Sequence, residues 1–422
     1  MLEPQVDAAF EYAFPLYEMA RTRYRAVQDA GNPRRVDPNA VRHERSLSDH
    51  RSRWITAPNN DTLYSNAWLS LAHTGVRIRV GAMPPGRYWS LAFMDAFTNH
   101  FAIVGQRLDG TGPVDLRVIG PNQEPGEKDG RTIQAPGQDV WLFIRCLVDG
   151  PDDLPNAHAM QDRIEIEPLQ RASYPPRAVP TSSRDPRNFL AVVNEMLGFN
   201  PPARGERDVV ERWAAVGLRP GEPDAWERLD PLAREAWTAR IDAAHDKLRQ
   251  ASASGRREVQ GWFASAAEMG DFGVNYPLRA SVALGGLGAL PPIEAMYFVR
   301  FHDAAGQLLD GRQRYLLRVP ATGIPNDSFW SFSMYEPTAD SQRFFVDNPI
   351  KRYSIGNRTP GIVANADGSF DIALQRDEPS EGQLRANWLP TPAGPFQISL
   401  RTYMPRAVLR DGRAPMPTIV RT

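Results

Sequence analysis

The chain has 422 residues, 42% hydrophobic and 23% charged, and its 49 Lys and Arg nearly balance 50 Asp and Glu. A formal charge of -1 leaves no single-sign field to attract nucleic acid or an acidic membrane surface. The length exceeds one ordinary core and predicts two or three domains, while 38 Pro and 32 Gly spread along it predict many short elements joined by turns.

The single cysteine, Cys146, excludes an intrachain disulfide. It lies in the apolar run "VWLFIRCLV" and reads as a small core residue. The start "MLEPQVDAAFEYAF" has no basic segment, apolar stretch and cleavage site of an export signal. No run reaches the roughly 18 apolar residues of a membrane span, so the expected location is the cytoplasm.

In chain order, residues 4–30 read as a helix, with Phe10, Ala13, Phe14, Tyr17, Ala20 and Tyr24 at helical spacing and Pro15 marking a kink or a late start. From 54 to 150 the pattern turns to short strands such as "VRIRV", "YWSLAFMD" and "DVWLFIRCLV". Helical signals return over 155–290. Asp185 reads as an N-cap, Pro186 as the first turn and Gly198 as the stop of one helix. A longer helix is predicted around Trp226, Leu229, Leu232, Trp237 and Ile241 on one stripe. "LGGLGAL" lacks nucleotide-loop spacing and reads as a close helix contact. Strands resume from 295 to the end.

The two β-regions resemble each other. "RIRVGAMPPGRYWSLAFM" (77–94) matches "LLRVPATGIPNDSFWSFSM" (316–334), and "QAPGQDVWLFIRCLV" (134–148) matches "PTPAGPFQISLRTYM" (390–404), the second pair carrying Arg145 and Arg401. Two matches in the same order point to two units of similar design, with shared strand-turn grammar as the alternative. The expectation is a multi-domain α+β chain: an N-terminal helix and lead-in (1–45), a β-sandwich (46–153), a helical domain (154–292) and a second, jelly-roll-like sandwich (293–422).

Three polar clusters are candidate sites. In "NNDTLYSNAW", Asn59, Asn60 and Asp61 enter a strand on which Tyr64, Asn66, Trp68 and Ser70 share one face. Rings beside amides suit a small-molecule pocket, while Asn and Asp at a strand entrance also suit plain turn chemistry. In "MDAFTNHF", Asp95, Asn99 and His100 bring a carboxylate near an imidazole, as acid–base work requires and as a polar turn also allows. In the last third, Arg352, Tyr353 and Trp388 form a candidate anion site, and Arg401 and Tyr403 share a strand face. No nucleophile elbow, P-loop or H-x-H metal pair occurs, so neither a cofactor nor a metal is expected.

"TAPNNDTLYSNAWLSL", "GRYWSLAFMDAFTNHFAIVGQR" and "VWLFIRCLVDGPDDL" resemble the domain of unknown function 1254. "NPIKRYSIGNRTPG", "NWLPTPAGPF" and "LRTYMPRA" resemble its usual C-terminal companion, the domain of unknown function 1214. The resemblance implies two sandwich-type domains joined by a helical domain, and implies no established reaction. The chain departs from it in lacking an export signal and in carrying Ser70 where Asp is common.

The function these residues point to is a soluble enzyme without a redox cofactor, acting on a small polar or aromatic molecule in an interdomain cleft by hydrolase or lyase chemistry. Asp61 or Asp95 is the acid–base candidate, His100 its partner, Tyr64 and Trp68 the aromatic wall, and Arg352 the anion anchor. A non-catalytic ligand-binding or assembly protein is the alternative. The expected partner is a small molecule, not nucleic acid or membrane, and a homo-oligomer is compatible with the sequence.

Overall fold

The computed structural model of the chain describes residues 2–53, 56–126, 130–170, 174, 176–202, 204–254, 257–338 and 342–422. The fold is α+β. The first nine strands are β1 (Val41–His43), β2 (Thr62–Ser70), β3 (Val76–Val80), β4 (Trp89–Met94), β5 (His100–Gly105), β6 (Val114–Ile119), β7 (Arg131–Gln134), β8 (Asp139–Leu147) and β9 (Ile164–Pro168). They form sheet I, ordered β1-β2-β8-β4-β5, and sheet II, ordered β7-β6-β3-β9. Period-two alternation sets their contact. Ala67, Leu69, Leu142 and Ile144 of sheet I meet Val76, Ile78, Val80 and Leu116 of sheet II in one core. Cys146 lies in that core, and burial pushes its thiol up to about 12.

The later strands are β10 (Arg257–Val259), β11 (Trp262–Ala264), β12 (Ala295–Arg300), β13 (Tyr315–Val319), β14 (Trp330–Pro337), β15 (Arg343–Phe344), β16 (Ser354–Gly356), β17 (Phe370–Gln375), β18 (Trp388–Pro390), β19 (Gln397–Tyr403) and β20 (Thr418–Arg421). Sheet III runs β10-β11-β12-β19-β14-β15, with β16 also on β14, and sheet IV runs β18-β17-β13-β20. A second core between them holds Phe298, Leu317, Phe332, Ile372, Ile398 and Leu400.

The two sheet pairs share one wiring. β2-β8-β4-β5 has the order of β12-β19-β14-β16, and β7-β6-β3-β9 that of β18-β17-β13-β20. Even the parallel contacts, β6 with β7 and β17 with β18, correspond. The sequence matches fall on these equivalent strands.

Four helices, Glu3–Val27, Pro186–Phe199, Pro231–Ser254 and Tyr276–Gly285, pack together around Phe10, Phe14, Phe189 and Trp237. Among the described residues no helix is long and apolar enough to cross a membrane.

Several local expectations change. The first helix is continuous from Glu3 through Pro15, so Pro15 does not mark a late start, and the helix's buried rings hold it against its neighbours despite one lost backbone bond. Asp185 caps as expected, accepting from the Arg187 amide, but Gly198 lies inside its helix. A Cβ there would sit 2.8 Å from Gly221 Cα, so it serves close packing and not termination. Trp226 and Leu229 precede the long helix, which begins at Pro231, and Leu232 points outward. "LGGLGAL" is where the helix Tyr276–Gly285 ends and turns. β9, β10 and β11 lie within the stretch expected to be helical; they are three to five residues long, too short for periodicity to register.

Gly356 shows how closely β16 and β14 approach. A Cβ on it would lie 2.0 Å from the Trp330 carbonyl oxygen, and one on the equivalent Gly105 would lie 2.5 Å from that of Trp89. Gly356→Ala is expected to cost roughly 2 kcal/mol or more in urea denaturation. Gly382→Ala, where a Cβ meets nothing, serves as the comparison. Equal stability of the two variants would refute the tight approach.

Candidate functional site

The faces of sheets I and III that point away from their own cores point towards each other. Sheet register places Tyr64, Arg145, Ser90 and Gly105 side by side across sheet I. In sheet III the same row reads Tyr297, Arg401, Ser331 and Gly356. Tyr88, Ala92 and Leu147 from one pair meet Leu290, Ala295, Phe329 and Tyr403 from the other, and the rings of Tyr88 and Tyr403 are 4.8 Å apart. Asp61 and Glu294 correspond too: each immediately precedes its strand, and their carbonyls accept from Val148 and Met404 respectively.

A buried guanidinium needs acceptors and a counter-charge. Arg401 has both. Its Nη1 donates to Ser333 Oγ at 2.6 Å, and its Nη2 to Tyr335 Oη at 2.6 Å and to the carbonyls of Ala57 and Pro58 at 2.9 and 3.2 Å. The buried Asp61 carboxylate lies within its electrostatic reach and accepts from Ser331 Oγ at 2.6 Å and Ser354 Oγ at 3.1 Å. Burial pushes the Asp61 carboxyl up, against the pull of Arg401 and those two hydroxyls. Asn59 completes the network, donating to Tyr403 Oη at 3.0 Å and accepting from the Asp61 amide.

Arg145 differs. It is 3% exposed, yet among the described residues its Nη2 donates to a single acceptor, Gly288 O at 2.6 Å, and its Nη1 to none. It lies over the rings of Phe143 and Tyr64, at 4.4 and 5.5 Å from their centroids, which offsets part of the desolvation. Glu294, the counterpart of Asp61, is occupied elsewhere: it accepts from Arg107 Nε at 2.7 Å and Tyr88 Oη at 2.8 Å. Tyr64, Asn66, Phe143, Tyr297 and His100 around this half of the interface are half-buried, while Arg145 Nη1 and both His100 ring nitrogens are themselves covered.

His100 stands opposite Met94 at the start of β5, with the Gly270 backbone beside its ring, and among the described residues neither ring nitrogen makes a well-formed hydrogen bond. Burial first, and Arg145 second, push its imidazole down to about 3. Asp95 belongs to a turn instead. Its Oδ1 accepts from the amides of Phe97 and Asn99 at 2.9 Å each. Burial pushes its carboxyl up to about 6, against those bonds and the pull of Arg279. Asn99 Oδ1 accepts from the Phe272 amide.

Of the residues singled out in the sequence, Tyr64, Asn66, Trp68 and His100 come together on the outer face of sheet I. Tyr64, Phe143, Trp141 and Trp68 stack in succession along it, and Trp68 continues into the helical core. Asn66 Oδ1 accepts from Trp141 Nε1. Asn59 and Asp61 belong to the Arg401 network, and Asn60 donates to Ser48 O. Asp61 and Asp95 answer to different cations, Arg401 and Arg279. Arg352 Nη1 donates to the carbonyls of Ala386 and Trp388 at 2.8 and 2.9 Å, away from the Arg145 and Arg401 rows. Trp388 sits at the edge of sheet IV with Nε1 on Gln375 O, and Tyr353 Oη meets His50 Nδ1. Among the described residues no group of three or more His, Cys, Asp or Glu could hold a metal ion.

The chain matches two families described as proteins of unknown function, DUF1254 over residues 38–168 and DUF1214 over residues 294–407. It pairs DUF1254 with DUF1214. The first match spans sheets I and II, and the second opens at Glu294 and runs past β19. No curated protein matches the chain. Among solved structures, the VPA0106 protein from Vibrio parahaemolyticus aligns over 100% of both chains, with a TM-score of 0.73 and 22% identity, a likeness of fold. An uncharacterized protein from Burkholderia cenocepacia aligns over 100% of this chain and 93% of its own, with a TM-score of 0.48 and 14% identity.

The residues that sequence reasoning did not place in the site are Phe143, Tyr297, Glu294 and, above all, Arg145. The signal for Arg145 was present: one charge in the run "VWLFIRCLV", repeated as Arg401.

The two arginines are expected to respond oppositely to substitution. Arg401→Met strands Asp61 and four acceptors and should cost about 3–5 kcal/mol in urea denaturation. Arg145→Met removes an uncompensated charge and should be neutral or stabilising by about 1–3 kcal/mol. Equal destabilisation by both would remove the distinction. For His100, the folded-state depression contributes stability that is present above pH 6.5 and lost as pH falls towards 3. Between those limits His100→Gln should lose stability less steeply than the wild type, by about 1.4 kcal/mol per pH unit. Parallel profiles would show that the imidazole is not held neutral.

Proposed function

We propose that this protein is an enzyme that binds a small organic anion between sheets I and III and acts on it by acid–base chemistry of the hydrolase or lyase type. We also read each sheet pair as a β-sandwich of jelly-roll kind. The observation that carries the functional reading is Arg145: a buried guanidinium with an unfilled Nη1 and its corresponding carboxylate, Glu294, taken by Arg107. A buried cation short of acceptors is costly, and an anionic ligand offsets that cost.

His100 supplies the chemistry in this reading. Held neutral, it is a proton acceptor. An imidazole depressed to about 3 is a weak base by itself. A ligand that neutralises Arg145 removes one of the two causes of that depression, so the base strengthens when substrate is bound. Tyr64, Asn66 and Phe143 form the wall of the site. Asp61 acts from outside it, holding the two sheet pairs in register through Ser331 and Ser354.

A non-catalytic binding protein is the second reading, favoured by that same low basicity of His100. Titration calorimetry with a panel of small carboxylates is expected to find ligands for the wild type, and Arg145→Met should bind them about 100-fold more weakly with an unchanged circular-dichroism spectrum. If no carboxylate binds, the anion site falls. Turnover separates the two readings: His100→Gln should abolish conversion of a bound substrate, and binding with no turnover in the wild type would favour the second.

A further inference from the structure

The duplicated wiring provides an internal comparison for Arg145. We propose that the ligand is a monocarboxylate with an apolar or aromatic body, whose two oxygens supply to Arg145 the acceptors that Ser333 and Tyr335 supply to Arg401. Ala92 and Met94 are the positioning residues that keep Arg145 available. This inference rests on the anion-site reading above and names its ligand class.

Register fixes the correspondence. Ala92 and Met94 of β4 lie opposite Phe143 and Trp141 of β8, and Ser333 and Tyr335 of β14 lie opposite Ser399 and Gln397 of β19. Counting from the arginine rows, Ala92 stands where Ser333 stands and Met94 where Tyr335 stands. Both arginines receive backbone carbonyl oxygen from the segment leading into the other unit's strand: Gly288 for Arg145, Ala57 and Pro58 for Arg401. Among the described residues only Arg401 receives side-chain oxygens as well. The difference between a sealed and an unfilled guanidinium is therefore two side chains, one hydroxymethyl and one phenol, replaced by a methyl and a thioether.

The missing set is two oxygens near one guanidinium, and the missing charge is one. A carboxylate supplies both in the geometry that guanidinium recognises. The body of the ligand follows from the next row. Sheet III carries Val299, Ser399, Ser333 and Ser354 there, and sheet I carries Asn66, Phe143, Ala92 and Ile103. Hydroxyls that bind Arg401 and Asp61 on one side are replaced by hydrocarbon and a ring on the other, which suits an uncharged apolar body. Ala92 is itself fully buried, packed with Leu290, so it acts through Arg145 by withholding an acceptor and does not form the ligand's floor.

Ala92→Ser transplants the Ser333 hydroxyl. It is expected to weaken binding of sodium benzoate and sodium hexanoate roughly tenfold by calorimetry, because Arg145 then has an internal partner. Ala92→Cys, close in size with a weak acceptor, should weaken binding far less. Equal loss with Ser and Cys would assign the effect to packing and overturn the role of Ala92. Unchanged binding in Ala92→Ser would also overturn it while leaving the anion site intact. Ser333→Ala should leave benzoate affinity unchanged, and its loss there would move the ligand to Arg401. Succinate binding more tightly than benzoate would overturn the single charge. Absence of binding by benzoate, hexanoate and succinate to the wild type would overturn the anion site and this inference together.

Discussion

Two guanidinium groups buried between facing sheets govern this architecture. A cation removed from water must be surrounded by acceptors, and no sheet can provide them all from its own face. Each arginine therefore reaches across to the other unit's entry segment, Arg401 to Ala57 and Pro58, and Arg145 to Gly288. These cross-bonds, with Asp61 on Ser331 and Tyr88 on Glu294, hold the two sheet pairs together. The apolar contacts of Leu290, Phe329 and Tyr403 fill the space between.

The duplication makes the asymmetry meaningful. One wiring diagram has two outcomes. On the Arg401 side, Ser333, Tyr335 and the carbonyls of Ala57 and Pro58 accept from the guanidinium, and Asp61, held by Ser331 and Ser354, supplies the counter-charge. On the Arg145 side, methyl, thioether and aromatic groups stand in those places, and the cation stays unfilled. Interfaces sealed by full polar networks favour stability, and unfilled charge at an otherwise similar position favours binding. The helical layer adds to this division. It covers Trp68 and Trp141 at one end of sheet I, packs against Phe143, and leaves Tyr64 and Asn66 half-buried.

Much of this was legible in the sequence. Alternation in "TLYSNAWLS" assigned Tyr64, Asn66 and Trp68 to one face and Leu69 to the other, because a strand's side-chain period is two whatever surrounds it. The repeated "RYWSLAFM" and "SFWSFSM" grammar located equivalent strands. The candidate site was legible in part. Asp95 and Asn99 share a turn that their spacing alone could explain, and the structure uses them that way. The bonds from Arg352 Nη1 to the carbonyls of Ala386 and Trp388 were not legible, because those carbonyls lie more than thirty residues along the chain.

The sequence by itself determined the long helices, the longer strands, the polar outer face of β2 and the correspondence of Arg145 with Arg401, since local periodicity and internal similarity depend only on neighbouring residues. Tertiary structure alone decided which arginine is satisfied. That outcome depends on Ser333, Tyr335, Ala57 and Pro58 meeting Arg401, and on Arg107 taking Glu294 away from Arg145. These partners come from distant segments, and a hydrogen bond is set by their positions in space, which no short stretch of sequence encodes.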